Sequence, residues 1–556
     1  MQLNPLHLKV SKLLEGRLFR IPEYQRAYSW QSRQRADLFN DIREAYRSGR
    51  EHFMATLVAL AKETREINAD EFRAVELVDG QQRTTTLIIL FKALEKSLDS
   101  SITSEADIKK DLAKLLVKGD EHSLILLQTN HDSSKVFTNY IRSGLVSEPK
   151  NPTVADTNLV KAAQECERFV QDWKNSEGSI VSLISTVRNK LSVIYHEIQD
   201  QATVYRVFEV LNSRGLDVKW IDKLKSQLMA LIFEHVEDEK TRGEASDEMK
   251  MIWKNIYQAL GNESKIGDEA LRFAGTWAVD TRPNRIISEQ DATAELTRKA
   301  GTSLKSIAVV GHELEAVVLA NLKLSRNNRL RAVTRISHAR FVASAIILRA
   351  FKSKEEQLLL EKWERVTFRI FELGGADTRH KVGDYVRLGY DIYRSCLSSD
   401  EIQERLDSIS QNFSIKDVLK SVDWTDSYNN WGEQLRYLLY RYDEHLAKEA
   451  GEKINATAWN KIWQAEPSSS IEHIHPQSSG ASYVHQLGNL TMLPPGINSS
   501  LNKRPAKEKF KTYLSCGLRA TMEVGLSIEE RNNWSEAMIK KRTKQIEDFI
   551  RLEWSD

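Results

Sequence analysis

The sequence predicts an α+β protein that is predominantly helical, with a small α/β domain near its N-terminus. Strand character appears early, at Glu51–Leu60 and at Val75–Val78, and the second of these runs leads directly into a helix. From Leu224 to about His445, apolar residues recur at helical spacing almost throughout. Near the C-terminus, Ile471–Lys509 is expected to form two short strands followed by a basic helix. These observations predict two mixed ends joined by a helical middle.

The composition is that of an ordinary globular chain, and it limits the partners that the chain can have. At 556 residues the chain is expected to hold roughly two to four domains. The net charge is only +2, so any contact with nucleic acid must come from local basic patches. Cys166, Cys396 and Cys516 lie far apart without a metal-binding spacing, which indicates free thiols in a reducing compartment. Because the N-terminus is charged and no long apolar run occurs, we expect no signal peptide, no membrane partner and a cytoplasmic location.

The elements of the first two hundred residues follow from apolar spacing. A helix is expected over Leu6–Leu14, where apolar residues have helical spacing. A strand around Leu18–Ile21 and an amphipathic helix over Gln34–Ser48 follow it. From about Ile102 to Asp200 the pattern is mainly helical, and its polar breaks indicate loops.

The segment Ile21–Trp30, IPEYQRAYSW, concentrates aromatic residues around Tyr24, Gln25 and Arg26. Such a group can stack on a base and can hydrogen-bond the base edge or a phosphate. The alternative is a loop whose aromatic side chains fill the core, and the residues alone favour it.

A second group of polar residues is expected where the strand Val75–Val78 turns into a helix. Asp79, Gln81, Gln82 and Arg83 occupy this corner. A helix N-terminus attracts phosphate, because its first N–H groups are unpaired and its dipole end is positive. Arg83 adds a cation there, and Asp79 can bind a metal or position a water. The alternative is an ordinary capped helix, and the corner lacks the Gly-Lys-Ser/Thr sequence of a Walker A loop.

A third group lies within Val204–Leu224, VYRVFEVLNSRGLDVKWIDKL. Thr203–Leu211 has the pattern of a helix, and Gly215 supplies the positive φ that commonly follows a helix end. Asn212 and Arg214 would then project from a tight turn. A plain helix end is the alternative interpretation of this turn.

The C-terminal stretch contains the residue types that a metal-dependent nuclease needs. Cutting a phosphodiester takes a base that deprotonates water, oxygen ligands for a divalent cation, and a residue that orients the base. His473 is the candidate base. Glu472 and Asn498 are the candidate ligands for Mg²⁺, a cation that prefers oxygen. Asn489 is expected to fix the loop that carries His473.

Two alternatives remain open at this stretch. Asn502 competes with Asn498 for the third catalytic position. A zinc site built from His473, His475 and His485 is disfavoured, because no Cys-x-x-Cys pair is present.

Basic residues follow the two expected strands and crowd the start of the next helix. The candidates for docking DNA phosphates are Lys503, Arg504, Lys507 and Lys509. A solvated basic helix face is the alternative. A single closing helix is expected over Ser527–Trp554, with Ser527 and Glu530 at the spacing of a capping box.

The motifs at both ends resemble known families. Glu-His-Ile-x-Pro, Gly-Asn-Leu-Thr-Met-Leu and the Asn and Lys that follow resemble the ββα-metal finger of the HNH endonuclease superfamily, with Met492 as a conservative departure. Ile-Pro-x-Tyr-Gln-Arg-x-Tyr-x-Trp, Asp-Gly-Gln-Gln-Arg and Phe-Glu-x-Leu-Asn-x-Arg-Gly resemble the ParB/sulfiredoxin-like NTPase domain of GmrSD-type and SspE-type restriction proteins. The resemblance implies an NTPase and sensing domain over 1–225, a helical bridge over 226–425 and a nuclease domain over 426–556.

The resemblance implies a modification-dependent (type IV) restriction endonuclease that acts in phage defence. Its N-terminal domain would sense modified DNA and hydrolyse a nucleoside triphosphate (ATP, GTP or UTP) with a divalent cation. The residues that would line the nucleotide site are Tyr24, Gln25, Arg26, Asp79, Gln81, Gln82, Arg83, Asn212 and Arg214. The C-terminal domain would nick or cleave DNA with Mg²⁺. The modification that is sensed (glucosylated cytosine and phosphorothioate both occur as cues) and a homodimer are left open.

Two other functions fit the same residues. One is a nucleotide-regulated protein that binds DNA or signals in defence without cutting. The other is an abortive-infection nuclease that acts on RNA or on the host's own DNA.

Overall fold

The computed structural model describes residues 5–22, 25–118, 124–128, 135–150, 152–200, 219–261, 263–331, 333, 335–395 and 397–556. The chain divides into two compact units, residues 1–279 with 287–319 and residues 280–286 with 320–556. Most of the described residues are helical, and strands form a larger sheet in the first unit and a small one in the second. The α+β, predominantly helical class is therefore confirmed. The predicted three-part division at residues 225 and 425 stays a prediction.

The first unit contains a mixed six-stranded sheet. Its strands are β1 Leu6–Lys9, β2 Arg17–Ile21, β3 His52–Ile67, β4 Asp70–Asp79, β5 Leu126–Gln128 and β6 Leu191–Ile198. Their order in the sheet is β1-β6-β3-β4-β2-β5. β3 pairs with β4 antiparallel and with β6 parallel, so the long β3–β4 hairpin forms the centre of the sheet.

Two turns with positive φ shape the hairpin and the corner that follows it. Asn68 and Ala69 both have positive φ, at 52° and 67°, which matches the two-residue turn that joins twisted antiparallel strands. Gly80 has φ 87°, and a Cβ there would lie 2.7 Å from Leu57 Cγ. Glycine is therefore required where β4 ends and the next helix begins.

The helices of the first unit surround one that is buried along most of its length. They are α1 Val10–Leu14, α2 Ser32–Ser48, α3 Gln81–Ser97, α4 Thr103–Leu116, α5 Lys135–Ser143, α6 Val154–Ser176, α7 Ile180–Asn189, α8 Trp220–His235, α9 Glu239–Leu260, α10 Ser264–Ala278, α11 Glu289–Ala300 and α12 Leu304–Arg326, the last of which contains the boundary at residue 319. In α3 consecutive residues from Thr84 to Leu94 are buried, so this helix lies at the centre of the core. Its apolar run is nearly continuous, as a helix buried on all sides requires.

Most elements predicted for the N-terminal third are confirmed, one is wrong, and the strands β5 and β6 were missed in a region that is otherwise mainly helical as predicted. Leu6–Lys9 is a strand instead of the start of a helix, because it pairs antiparallel with β6 and only Val10–Leu14 is helical. Leu191–Ile198 is a buried strand inside a region predicted as mainly helical. Residues on both faces of β6 are buried, so its apolar residues do not alternate with polar ones, and the period of two is lost.

The second unit is helical apart from its small sheet. Its helices are α13 Asn328–Arg331, α14 Ser337–Leu348, α15 Ser353–Phe368, α16 Val382–Arg394, α17 Ser399–Ser410, α18 Ile415–Ser421, α19 Ser427–Asn430, α20 Glu433–Glu449, α21 Ala456–Gln464, α22 Pro467–Ser470, α23 Pro495–Leu501, α24 Ala506–Ser515, α25 Arg519–Arg531 and α26 Glu536–Glu553. Strands β7 Ile471–His473 and β8 Leu490–Met492 pair antiparallel, with Glu472 opposite Thr491. The predicted succession of two short strands and a basic helix is confirmed, with the short helix α23 between them.

The single closing helix predicted over Ser527–Trp554 is wrong. The chain forms α25 and α26 instead, separated at Asn532, which has a left-handed φ of 51°. Ser527 lies inside α25 and does not cap a helix. Asparagine tolerates the left-handed conformation that ends a helix. The aromatic and charged residues around Asn532 made this helix end hard to recognise in the sequence.

Within the described part of the chain, none of the helices combines the length and the apolarity that a bilayer crossing requires.

Candidate functional site

Strand β7 carries Glu472 and His473 on opposite faces, as strand alternation requires. Glu472 faces α24, where Lys509 and Tyr513 lie one helical turn apart. Lys509 Nζ and Tyr513 OH each donate a hydrogen bond to Glu472 Oε1 at 2.7 Å. Burial raises the pKa of Glu472, and the charge of Lys509 opposes that shift. The carboxylate is thus anchored through Oε1, and neither of these bonds uses Oε2.

The structure contradicts the DNA-docking role predicted for Lys509. Its side chain is only 1% exposed, and Nζ also donates to the main-chain oxygen of His473 at 2.7 Å. A buried ammonium needs such partners, because burial without them is costly. Lys503, Arg504 and Lys507 are exposed, and their docking role stays a prediction.

His473 lies on the other face of β7 among aromatic rings. Its ring centroid is 4.5 Å from that of Tyr428, and its Nε2 is 3.2 Å from Nδ1 of His485. Burial lowers the pKa of His473 to about 4, and the charges of His485 and Lys509 act in the same direction. The imidazole is therefore neutral near pH 7, which is the form that accepts a proton from water.

Asn489 ties together the loop that follows His473. Its Oδ1 accepts a hydrogen bond from His475 N at 2.8 Å, and its Nδ2 donates to His475 O at 3.0 Å and to Val484 O at 2.8 Å. The main-chain oxygen of Asn489 also accepts from Ile474 N at 2.9 Å. All these polar groups are satisfied in a buried position, so the loop is held in one conformation.

The glycine before Asn489 is required by a neighbouring helix. A Cβ at Gly488 would lie 2.0 Å from Ile539 O on α26. Arg542 Nη1 donates to Gly488 O at 3.1 Å and to Leu490 O at 2.6 Å, and Thr543 Oγ1 accepts from Gly488 N at 3.0 Å. The Gly-Asn-Leu motif is therefore fixed by α26 on one side and by its own asparagine on the other.

An open cleft of about 480 Å³ brings three of the four predicted catalytic residues together, and Asn489 lies outside its lining. Its lining includes Glu472, His473, Asn498, Asn502, Lys503 and Lys509. Asn498 Nδ2 donates to Ser469 O at 2.9 Å and to Ile471 O at 3.3 Å, and neither bond uses the amide oxygen. Asn502 has a positive φ of 47° at the end of α23 and also borders the cleft. Both asparagines therefore stay candidates for the third catalytic position.

The donors in this cleft fit Mg²⁺ better than zinc. Glu472 and Asn498 can each offer one oxygen, and Mg²⁺ commonly takes one or two protein oxygens and completes its shell with water and phosphate. Over the described residues, no group of three or more His, Cys, Asp or Glu could hold a metal. His475 packs its ring against Tyr483, with centroids 5.3 Å apart.

In the first unit, the paired glutamines after Gly80 hold main chain from the IPEYQRAYSW segment. Gln82 Oε1 accepts from Ser29 N at 2.8 Å, and its Nε2 donates to Ala27 O at 3.2 Å. Gln81 Nε2 donates to Arg26 O at 3.5 Å. Both glutamine side chains are buried, so these contacts fix the segment against the start of α3.

The third glutamine of the N-terminal motifs has a similar role. Gln25 Nε2 donates to Val78 O near the end of β4, at 3.1 Å. Three further residues predicted for the nucleotide site lie outside the described residues, and so do the predicted helix 203–211 and the cysteine at 396. The three are Tyr24, Asn212 and Arg214.

A partly buried carboxylate and two arginines interact at the corner between β4 and α3. Burial raises the pKa of Asp79, while its hydrogen bond from Gly80 N at 2.8 Å and the charges of Arg26 and Arg83 oppose the shift. Burial also lowers the pKa of Arg83, whose guanidinium carbon lies 5.6 Å from the centre of the Trp30 ring. The charges of Asp222 and Asp41 also act at this corner, on Asp79 and on Arg83 respectively, so acidic and basic groups are interleaved here.

A cavity of about 390 Å³ adjoins the IPEYQRAYSW segment. Its walls include Arg26, Trp30, Lys219, Asp222 and Tyr257. Tyr257 OH donates to Asp222 Oδ1 at 2.5 Å. An aromatic ring, two cations and a carboxylate around one cavity suit a nucleotide, which presents a flat base and phosphate charge.

Three residues in this part of the fold were not predicted from the sequence. Asp222 and Tyr257 line the cavity, and Lys225 lies buried beside Asp222. Burial lowers the pKa of Lys225 to about 7, and the charge of Asp222 opposes that shift. The available signal was the i,i+3 spacing of Asp222 and Lys225 on α8, which puts an acid and a base on one helix face.

Two family models match the chain, and both describe restriction endonucleases. The N-terminal domain of the GmrSD restriction endonuclease matches residues 10–229, and the C-terminal domain of these enzymes matches residues 413–548. A search of curated proteins found no match. The class defined by the two matched domains is a restriction nuclease, a defence enzyme with DNA as its substrate. Within that class, the chain belongs to the GmrSD restriction endonuclease family.

Proposed function

We propose that this restriction nuclease is modification-dependent, that it cuts DNA at the Glu472–His473–Asn498 cleft with Mg²⁺, and that a nucleotide bound in its first unit regulates it. The observation that carries the proposal is the cleft itself. It combines a buried, anchored carboxylate, a neutral imidazole and an amide, and its lining includes the exposed cation Lys503.

The chain's own residues would supply the acid–base chemistry of cleavage. His473 takes a proton from a water molecule as the water oxygen forms a bond to phosphorus. The bond between phosphorus and the leaving oxygen then breaks, and that oxygen takes a proton from solvent. Glu472 and Asn498 would hold Mg²⁺, which supplies charge stabilisation at the phosphate and at the leaving oxygen.

The nucleotide part of the proposal rests on the corner around Asp79. The start of α3, Arg26 and Arg83 would bind the phosphates, and Asp79 would hold a divalent cation or orient water. Gln25, Gln81 and Gln82 would act by positioning the chain around the nucleotide. The cavity lined by Trp30, Asp222 and Tyr257 is the space that suits the nucleoside.

A cleavage assay on plasmid and phage DNA tests the proposal as a whole. Unmodified, glucosylated and phosphorothioated DNA are incubated with the protein and Mg²⁺, with and without ATP, GTP or UTP. The proposal expects nicked or linear product from one modified substrate and a rate that depends on nucleotide. Tight DNA binding without any product would leave a nucleotide-regulated binding protein, and cutting of unmodified DNA or RNA would favour a toxin.

Replacing Arg83 by alanine is expected to lower nucleotide hydrolysis by about tenfold or more, because a fixed cation beside the phosphates is lost. Phosphate release from ATP, GTP and UTP measures the effect. Arg33→Ala is the matched control, since Arg33 is an exposed arginine of the same unit. Equal losses in both variants, or an unchanged rate in Arg83→Ala, would contradict the assignment.

Removing the three exposed cations near the cleft is expected to weaken DNA binding at every sequence. The replaced residues are Lys503, Arg504 and Lys507. If each contacts a phosphate, the slope of log Kd against log salt should fall by roughly 0.9 per residue lost. Fluorescence anisotropy over a salt series measures this slope, in a His473→Ala background that prevents cutting.

The control for this series removes the same charge from another helix of the same unit. The control residues are Lys540, Lys541 and Lys544 on α26. Their replacement should change the salt slope much less. A slope that falls equally in both triple variants would assign the effect to net charge alone, and the docking surface would then be misplaced.

A further inference from the structure

A second histidine faces the candidate base at hydrogen-bond distance. His485 Nδ1 lies 3.2 Å from His473 Nε2. Tyr428 stacks on the His485 ring, with centroids 5.3 Å apart and planes 15° apart, and Tyr428 N donates to His485 O at 3.3 Å. His485 is thus held at its ring and at its main chain. Asn489 Nδ2 also holds the main-chain oxygen of the preceding residue, Val484.

This contact decides which nitrogen of His473 can act as a base. A neutral imidazole carries one N–H and one lone pair, and a general base must turn the lone pair toward water. Since Nε2 of His473 faces His485, Nδ1 is the nitrogen left for the water. Nδ1 has the lone pair only if Nε2 carries the hydrogen and donates it to His485.

We propose that His485 is a positioning residue, whose Nδ1 accepts a hydrogen bond from His473 Nε2 and so holds His473 in the tautomer with a basic Nδ1. The inference rests on the proposed nuclease function of the cleft. Other contacts of His473 support a division of roles. Lys509 fixes its main-chain oxygen, Tyr428 packs against its ring, and His485 sets the hydrogen.

The proton balance of this arrangement is simple. Nδ1 of His473 takes the proton of the attacking water, and the resulting imidazolium keeps its Nε2 hydrogen bond to His485. That bond becomes stronger as His473 gains charge, because charged donors make the stronger hydrogen bonds. His485 keeps its own hydrogen on Nε2 throughout and exchanges no proton.

Two replacements of His485 separate positioning from packing. His485→Asn keeps an acceptor oxygen near the position of Nδ1 and loses the stacked ring. His485→Phe keeps a ring against Tyr428 and loses the acceptor. If His485 positions the base, the His485→Phe variant should have a kcat roughly 100-fold below that of wild type, with little change in KM. The kcat of His485→Asn should stay within about tenfold of wild type.

If His485 acts only by packing, His485→Phe should keep its cleavage activity and His485→Asn should lose it. That result would overturn the inference. Loss of activity in both variants, at an unchanged melting temperature, would overturn it too. In a His473→Ala background, His485→Phe should cause no further loss, because both residues act through one base. A further loss in that background would contradict the inference.

A second readout does not depend on cleavage. In protein labelled with ¹⁵N-histidine, the His473 signals, assigned by their loss in His473→Ala, should show a lone pair on Nδ1 in wild type and in His485→Asn. In His485→Phe this preference should disappear. An unchanged tautomer in His485→Phe would overturn the inference even if the proposed nuclease function holds. If no DNA is cut by the wild type, the proposed function fails, while the tautomer measurement still decides the role of His485.

Discussion

Replacing His473 by alanine is expected to lower DNA cleavage by roughly 10²–10⁴-fold, which is the usual contribution of a general base. The physical reason is that His473 is the neutral imidazole in the cleft, with a pKa lowered to about 4 by burial. At pH 7 it carries a free lone pair, and alanine offers no replacement for it. Plasmid nicking under single-turnover conditions measures the loss directly.

The matched control for this variant is His475→Ala, two residues further along the chain. The His475 ring packs on Tyr483 outside the cleft lining, and its main chain is held by Asn489. The control should therefore cut DNA at close to the wild-type rate. Equal losses in both variants would indicate that the loop has been disturbed, and His473→Ala cutting within tenfold of wild type would remove His473 from the role of base.

The stability of His473→Ala has to be measured alongside its activity. His473 is 8% exposed, so alanine leaves a small cavity beside Tyr428 and His485. Thermal unfolding and DNA binding in the absence of Mg²⁺ should show a folded protein that still binds. If the variant neither binds DNA nor unfolds cooperatively, its loss of cleavage reflects a loss of structure. That result would contradict a specifically catalytic role for His473.

The residue types of the nuclease cleft could be predicted from the sequence because each has a chemical role that few others can fill. Glu472, His473 and Asn489 were assigned to a ligand, a base and a loop anchor, and the structure brings them together. Local periodicity also predicted α2 and α3, and the order of the Glu-His and Gly-Asn-Leu motifs predicted the succession of β7 and β8. The matched domains confirm the restriction class that the motifs indicated.

Partners from distant parts of the chain could not be predicted in the same way. Lys509 lies in a lysine-rich stretch that resembles a DNA-docking face, yet its side chain is turned inward toward Glu472. Tyr428 reaches His473 only through the tertiary fold. The sequence grouped His485 with His473 only as a disfavoured zinc site, and the fold brings the two rings to hydrogen-bond distance. β6 was missed for a related reason, because the fold buries both of its faces and the alternation of apolar and polar residues is lost.

The glutamines at the N-terminal corner show a further limit of motif-based assignment. Gln81 and Gln82 belong to a motif that resembles a nucleotide-binding sequence, and this suggests contact with the ligand. In the fold their side chains are buried and bind the main chain of residues 26–29. A motif residue can therefore position the main chain around a cavity, and Asp222 can line that cavity without belonging to the motif.

Replacing Lys509 by methionine is expected to destabilise the second unit by roughly 3–5 kcal/mol, since it leaves the buried Glu472 charge without its counter-ion. Methionine keeps most of the chain length of lysine, so the change removes mainly charge and hydrogen bonds. For a unit of this size the melting temperature should fall by about 10 °C. Lys507→Met is the matched control, because Lys507 is exposed on the same helix, and its melting temperature should hardly change.

The pH dependence of this loss has a definite sign. Burial already raises the pKa of Glu472, and removing Lys509 takes away the charge that opposes the shift. In Lys509→Met the folded-state pKa of Glu472 thus lies further above its unfolded value, so the folded state favours the neutral acid. The destabilisation should be largest at neutral pH and should shrink as the pH falls toward that raised pKa.

A double replacement distinguishes the ion pair from simple packing. Glu472→Gln removes the charge that Lys509 compensates, so adding it to Lys509→Met should recover part of the lost stability. Cleavage should stay absent, because the proposed metal ligand is removed. Thermal unfolding at pH 8 and pH 6 compares the four proteins of this cycle. Additive losses with no dependence on pH would mean that Lys509 stabilises the cleft by packing, and the carboxylate would then be anchored mainly by Tyr513.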